Sequence, residues 1–268
     1  MLSEYTRFVG RLRQNDQDSK QQEQDSKQQE MDESRFAKAR KVISVLQDIS
    51  LNVRTARCLD IGCGNGSLTY YLHSAVGWIV GIDLSWGLIS QAPSHLNRVQ
   101  ADALRLPFCD ATFDLVVCTQ VYEHAGDTAR LAEEITRILR PGGICYFSGP
   151  NRLWPYEYHY EAWLIHWLPY QWLKRLLRIR KHKDISPVTL YTYWQLRRFW
   201  KHFALHDYTV RLIRYPDRFP GADVPTWVQY IPDRVLNALV WMTPNVNWVL
   251  VKPVDEKREN GKNADHTY

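Results

Sequence analysis

Five short apolar runs, CLDI (58–61), WIVGID (78–83), RVQAD (98–102), FDLVVC (113–118) and ICYFSG (144–149), alternate with stretches of helical character, and this alternation constrains the fold most. Runs of this length bounded by turn residues read as strands, and their near-continuous apolarity belongs to strands buried on both faces by helices. Strand–helix alternation is the pattern of βαβ units. Two later runs, YTVRLIR (208–214) and NWVLVKP (247–253), look like closing strands. The expected fold is therefore α/β: a Rossmann-like, mostly parallel seven-stranded sheet with helices on both faces. The clearest helix covers 128–140. Asp127 or Thr128 serves as N-cap, Leu131, Ile135, Ile138 and Leu139 share one face, and Pro141-Gly142-Gly143 is the stop.

Around this core the composition shifts. Residues 1–34 are polar and contain a tandem copy of QDSKQQE at 17–23 and 24–30, without the two apolar heptad positions that a coiled-coil seam requires. Phe36, Ala39, Ile43, Leu46 and Ile49 then recur at helical spacing and open a folded domain expected over 35–253. Within it, an insertion at about 151–203 holds six of the eleven tryptophans and a basic run, and reads as a helical, aromatic-rich cap. A second insertion is expected at about 215–246, with a helical piece near 233–242, and a polar tail at 254–268. The five cysteines are odd in number and lack CxxC spacing, which favours buried thiols in a reducing compartment. No run approaches the roughly 18 apolar residues of a membrane span, and the N-terminus lacks the plan of a signal peptide. A cytoplasmic protein is expected. A net charge of +5 permits anionic partners without requiring them.

The chemistry begins where CLDI runs into Gly62-Cys63-Gly64-Asn65-Gly66 and a helix starting near Ser67. Such a turn at a helix N-terminus lets a ligand meet backbone, and a similar loop binds dinucleotide pyrophosphate. Here the third small residue falls at Gly66, giving G-x-G-x-G, and Asp60 ends the strand. A carboxylate there repels a pyrophosphate but suits the ammonium group of a methionine moiety. Asp83 ends the second strand, placed to take both ribose hydroxyls of an adenosine, and Asp102 closes the third.

With these residues the chain resembles the class I S-adenosylmethionine-dependent methyltransferases, particularly small-molecule enzymes of the ubiquinone-type O-methyltransferase kind. DIGCGNG is similar to their first motif, GID to the second, QADALRLPFCDATFDLVVCTQVYEH to the third and fourth, and ILRPGG follows the next helix. The resemblance spans roughly residues 57–150. It implies that Asp60 with Gly62, Gly64 and Gly66 holds the methionine part, Asp83 the ribose, and Asp102 with Ala103 the adenine of S-adenosyl-L-methionine, with Leu84 and Thr119 in the same cofactor set. Ubiquinone-type enzymes carry a glutamate where Gln120 stands, forming a metal site with the equivalents of Glu123 and His124. The substitution removes one charged ligand, so no metal is expected.

Methyl transfer to a hydroxyl needs a base, and Tyr122, Glu123 and His124 lie just beyond the fourth strand, with His124 the first choice. Glu157 and His159, in the aromatic stretch after the fifth strand, are further candidates for orienting or deprotonating an acceptor; each also reads as a polar group satisfying an aromatic cap. QWLKRLLRIRKHK (171–183) has six basic residues and no acid, interleaved with leucine and tryptophan. Residues 163–183 accordingly fit either an anionic membrane surface or a solvated basic face. The expected function is methyl transfer to a small-molecule, hydrophobic or lipid-linked acceptor, at a cytoplasmic location that includes the inner face of a membrane. Two alternatives are a nucleic-acid methyltransferase and a non-catalytic S-adenosylmethionine-binding module. Thr119-Gln120-Val121-Tyr122 lacks the D/N-P-P-Y/F motif of base-amine methylation, so nucleic acid is not expected as a partner.

Overall fold

The computed structural model describes residues 33–49, 52–157, 162–163, 188–221 and 226–254. The tandem repeat, His159, the basic run 171–183 and the end of the chain from 255 lie outside the described residues, and so does the side chain of Glu157.

A seven-stranded sheet organises the molecule. In chain order its strands are β1 (Arg57–Ile61), β2 (Trp78–Asp83), β3 (Asn97–Gln100), β4 (Phe113–Thr119) and β5 (Leu139–Pro150), then β8 (Ala204–Asp207) and β9 (Asn245–Val251). Two short antiparallel strands, β6 (Tyr156–Glu157) and β7 (Ala162–Trp163), pair separately. The spatial order is β3-β2-β1-β4-β5-β9-β8. β1 to β5 pair in parallel, and β9 runs antiparallel to both β5 and β8. The order reverses direction between β1 and β4, so the carboxyl ends of those strands border the crevice where open α/β sheets bind ligands.

Helices cover both faces because both faces are apolar. The first helix, α1, spans residues 33–48 and buries Ala39, Val42, Val45 and Leu46. It packs with Leu72 of α2 (Ser67–His73) against Leu115, Val117 and Tyr146. A short α3 (Trp86–Ile89) follows β2. On the opposite face, α4 (Thr128–Ile138) presents Leu131, Ile135 and Ile138, and α5 (Tyr193–Phe199) presents Tyr193 and Leu196. The Asp127 carboxylate caps α4 by accepting from the Arg130 N–H, as the sequence predicts.

The segment 208–214, expected as a strand, is instead helix α6 (Thr209–Arg214), and the strand preceding it is β8. Tyr208, Thr209 and Leu212 are the buried positions, which is helical spacing, and Asp207 Oδ1 accepts from the Thr209 N–H where the helix begins. The other expected closing strand is β9, and the helical piece near 233–242 is α7 (Asp233–Leu239) with one 3-10 turn after it. Asp48 at the end of α1 accepts from Tyr208, Arg211 and Arg218, which ties α1 to the region of α6.

Candidate functional site

The glycine loop is fixed by what surrounds it. Gly62 has φ +73°, and a Cβ there would lie 2.5 Å from Val121 Cγ2. Gly66 has φ +77°, caps α2, and would place a Cβ 2.8 Å from the Ala92 Cβ. Both positions require glycine on conformational and steric grounds together. The Gly62 and Cys63 N–H groups donate to the Ile82 carbonyl, which draws the loop over the end of β2. Asp83 then locks it: Oδ2 accepts from the Gly64 N–H at 2.9 Å and Oδ1 from the Ser85 N–H at 2.8 Å.

Beside this loop lies a cavity of about 400 Å³, walled by Gly62, Asp83, Leu84, Asp102, Ala103 and His124 among others. Six of the residues singled out from the sequence thus come together at the carboxyl edge of the sheet. Leu84 is 70% exposed at its rim. Asp102 spends one carboxylate oxygen on the Leu104 N–H, a turn cap that leaves the Ala103–Leu104 backbone on the wall. That segment is anchored from α4: Glu134 accepts from the Leu106 N–H, Arg137 donates to the Leu106 and Phe108 carbonyls, and Arg130 to the Leu104 carbonyl. Arg137 donates to the buried Glu134 carboxylate and thereby holds its pKa below the usual range.

Other predicted residues sit elsewhere. Asp60 is buried beneath the loop at 1% exposure, and its Oδ2 accepts a 2.6 Å hydrogen bond from the Thr69 hydroxyl. Burial pushes its pKa up to about 7 against the opposing Thr69 bond. Tyr122 is fully buried, donates its hydroxyl to the Pro150 carbonyl and packs against Phe147 and Tyr191. Glu123 is buried as well, and its backbone carbonyl accepts from the Thr189 N–H. His124 is exposed on the cavity wall. Cys63 is buried beside the acids Asp60 and Asp83, and desolvation first, then those charges, raise its pKa to about 12, so it stays a thiol.

Thr119 faces a second, smaller cavity of about 160 Å³, together with Lys38, Lys41, Ser148 and Asn245. Gln120 borders both cavities. It adopts φ +57°, uncommon for a residue with a side chain, while its Nε2 donates to Asn245 Oδ1 at 3.2 Å. Lys38, Lys41 and Asn245 went unrecognised in the sequence. The two lysines read there as the polar face of α1, and Asn245 is brought to this edge only because β9 runs antiparallel to β5, pairing Asn245 with Pro150.

Residues 59–147 match the family described as "Methyltransferase domain". The ubiquinone biosynthesis O-methyltransferase of Methylococcus capsulatus is 35% identical over 105 residues, covering 36% of this chain and 44% of that protein. The demethylmenaquinone methyltransferase of Corynebacterium kroppenstedtii is 37% identical over 99 residues, covering 35% and 43%. The chain therefore spans under half the length of these curated relatives. A solved putative methyltransferase of Haloferax volcanii, in complex with the Trm112 methyltransferase activator, is 19% identical with a TM-score of 0.52, over 82% of this chain and 94% of that one; this is a likeness of fold. The matched stretch runs from β1 into β5, and over residues 59–147 the chain is similar to methyltransferase domains.

Proposed function

We propose that the protein transfers a methyl group from S-adenosyl-L-methionine to a small-molecule acceptor of hydrophobic or lipid-linked character. The observation that carries this reading is the larger cavity at the sheet's reversal point, where the glycine loop and the acids following β2 and β3 share one wall. An acidic wall repels a pyrophosphate and accommodates a sulfonium and an ammonium group. In this reading Asp83 takes the ribose hydroxyls, the Asp102–Leu104 turn receives the adenine, and Leu84 covers it. Asp60, held by Thr69, supports the loop from below rather than meeting the ligand. Tyr122 and Glu123 hold the start of the loop after β4, which leaves His124 as the group on the wall able to take an acceptor proton. Methyl transfer is an in-line displacement at a sulfonium carbon, so alignment of donor and acceptor is the main requirement. The quinone-related names of the two relatives are in keeping with a hydrophobic acceptor.

The test is transfer of labelled methyl from S-adenosylmethionine into a host extract by the full chain, with and without EDTA. The expected product carries the label into organic solvent, and EDTA leaves the yield unchanged because Gln120 stands where a metal-binding acid would be. Label confined to protein, nucleic acid or the aqueous phase would contradict the acceptor class.

A location at the cytoplasmic face of an anionic membrane rests on the composition of residues 163–183. No helix among the described residues is long and apolar enough to cross a membrane. Each lysine or arginine near a charged leaflet contributes about 1 kcal/mol, so the run should give reversible, salt-sensitive attachment. Neutralising Lys174, Arg175, Arg178 and Arg180 together is expected to abolish co-sedimentation with phosphatidylserine vesicles. Wild-type protein that ignores such vesicles at low salt would reduce the run to a solvated face.

A further inference from the structure

The two cavities that meet at Gln120 are opposite in charge. The larger is lined by Asp83 and Asp102, whereas the smaller is lined by Lys38 and Lys41 with no carboxylate on its wall among the described residues. Its other polar groups are neutral, with the Thr119, Ser148 and Asn245 side chains at the ends of β4, β5 and β9, and Val42 and Leu68 supply an apolar side. Lys41 is half-buried and has no hydrogen-bond or ion-pair partner among the described residues. Lys41 is partly withdrawn from water while its ammonium keeps solvent contact, and no counter-charge faces it among the described residues, so an anion entering the cavity would meet an unpaired cation. At about 30 Å³ per water, its 160 Å³ holds roughly five waters or a single small ring.

We propose that the smaller cavity binds the acceptor through an anionic oxygen on a planar ring, a carboxylate or an ionised phenol or enol, paired with the Lys41 ammonium. This rests on the methyltransferase reading of the larger cavity and narrows its acceptor to an acidic compound. Gln120, the residue common to both walls, then marks where donor and acceptor face each other. In the transfer an acceptor oxygen forms its bond to the methyl carbon as the S–C bond breaks. The electron pair stays on sulfur, and the sulfonium becomes a neutral thioether. An oxygen that enters already ionised requires no base in that step, so with such an acceptor His124, which lines the larger cavity, would not take a proton.

Burial and the neighbouring Lys38 lower the Lys41 pKa to about 8, so anion binding should weaken as the pH passes that value. The remaining titratable groups on the wall are Lys38, which is exposed, and Tyr146, whose hydroxyl donates to Asn247 and is pushed further up by burial. Tyr146 therefore stays neutral near pH 7.

Calorimetry on the full chain saturated with S-adenosylhomocysteine tests the proposal, using benzoate, 4-nitrophenolate and neutral benzamide as probes. At pH 7 at least one anion should bind about tenfold or more tightly than benzamide, the effect of one charge-assisted hydrogen bond, and whichever does so separates carboxylate from phenolate recognition. Lys41→Met should abolish the preference while keeping S-adenosylhomocysteine affinity, which reports an intact fold. Lys41→Arg should keep the preference and extend it above pH 8, because a guanidinium stays charged. Equal binding of benzamide and the anions, no binding of either anion, or an unchanged preference in Lys41→Met would overturn the proposal. Failure of the wild-type chain to bind S-adenosylhomocysteine would instead overturn the methyltransferase reading on which it rests.

Discussion

A carboxyl group sealed under a backbone loop behaves differently from one on a cavity wall, and Asp60 and Asp83 are that pair. Asp83 accepts from the Gly64 N–H of the loop with one oxygen and from the Ser85 N–H after β2 with the other, while keeping a place on the wall. Asp60 has the Thr69 hydroxyl as its hydrogen-bond partner, and burial raises its pKa from 3.8 to about 7. Between these two pH values the folded state holds a proton that the unfolded chain releases. The unfolded state thus binds fewer protons there, and stability declines as pH rises, by at most about 1.4 kcal/mol per pH unit. Asparagine reproduces the protonated shape and accepts the Thr69 hydrogen bond without this dependence. Denaturant unfolding at pH 5 and pH 8 should therefore show the stability of Asp60→Asn rising relative to wild type at the higher pH. A difference that stays constant across the range would contradict an Asp60 that folds protonated.

At the scale of elements, what could be read in the sequence was what local pattern encodes. The runs that became β1, β2, β4 and β5 were visible because burial on both faces demands continuous apolarity. The start of α4 was visible because a cap is local chemistry; its end was read two residues late, since Leu139 and Arg140 open β5, which also contains Pro141-Gly142-Gly143. β8 was not visible: ALHD is a four-residue edge strand with alternating exposure, and its neighbour YTVRLIR has an apolar content that suits either strand or helix at that length. Two of the three strand-end acids read in the sequence, Asp83 and Asp102, line the larger cavity, while Asp60 lies beneath the loop, and the loop after β3 depends on Arg130, Glu134 and Arg137, which in sequence look like ordinary surface charges of α4. The smaller cavity was hidden for a different reason. It joins α1, β4 and β9, segments about 200 residues apart at the extremes, and only the sheet order brings Lys41 near Gln120 and Asn245.

For the whole molecule, the sheet order places the two cavities, one acidic and one basic, at one edge. The reversal between β1 and β4 opens the crevice, the loop after β1 and the acids after β2 and β3 form its acidic side, and antiparallel β9 with α1 completes the basic side. The methyl-transfer reading requires the acidic side to receive an adenosyl sulfonium ligand rather than a dinucleotide. Titration of the full chain with S-adenosylhomocysteine, S-adenosylmethionine and NAD, in parallel with Asp83→Ala, examines this directly. Wild-type protein should bind the first two, and Asp83→Ala should weaken both by roughly tenfold to a hundredfold, the loss of a charged hydrogen bond to the ribose together with the Gly64 tether. Tight binding of NAD with no detectable binding of S-adenosylhomocysteine would contradict the account.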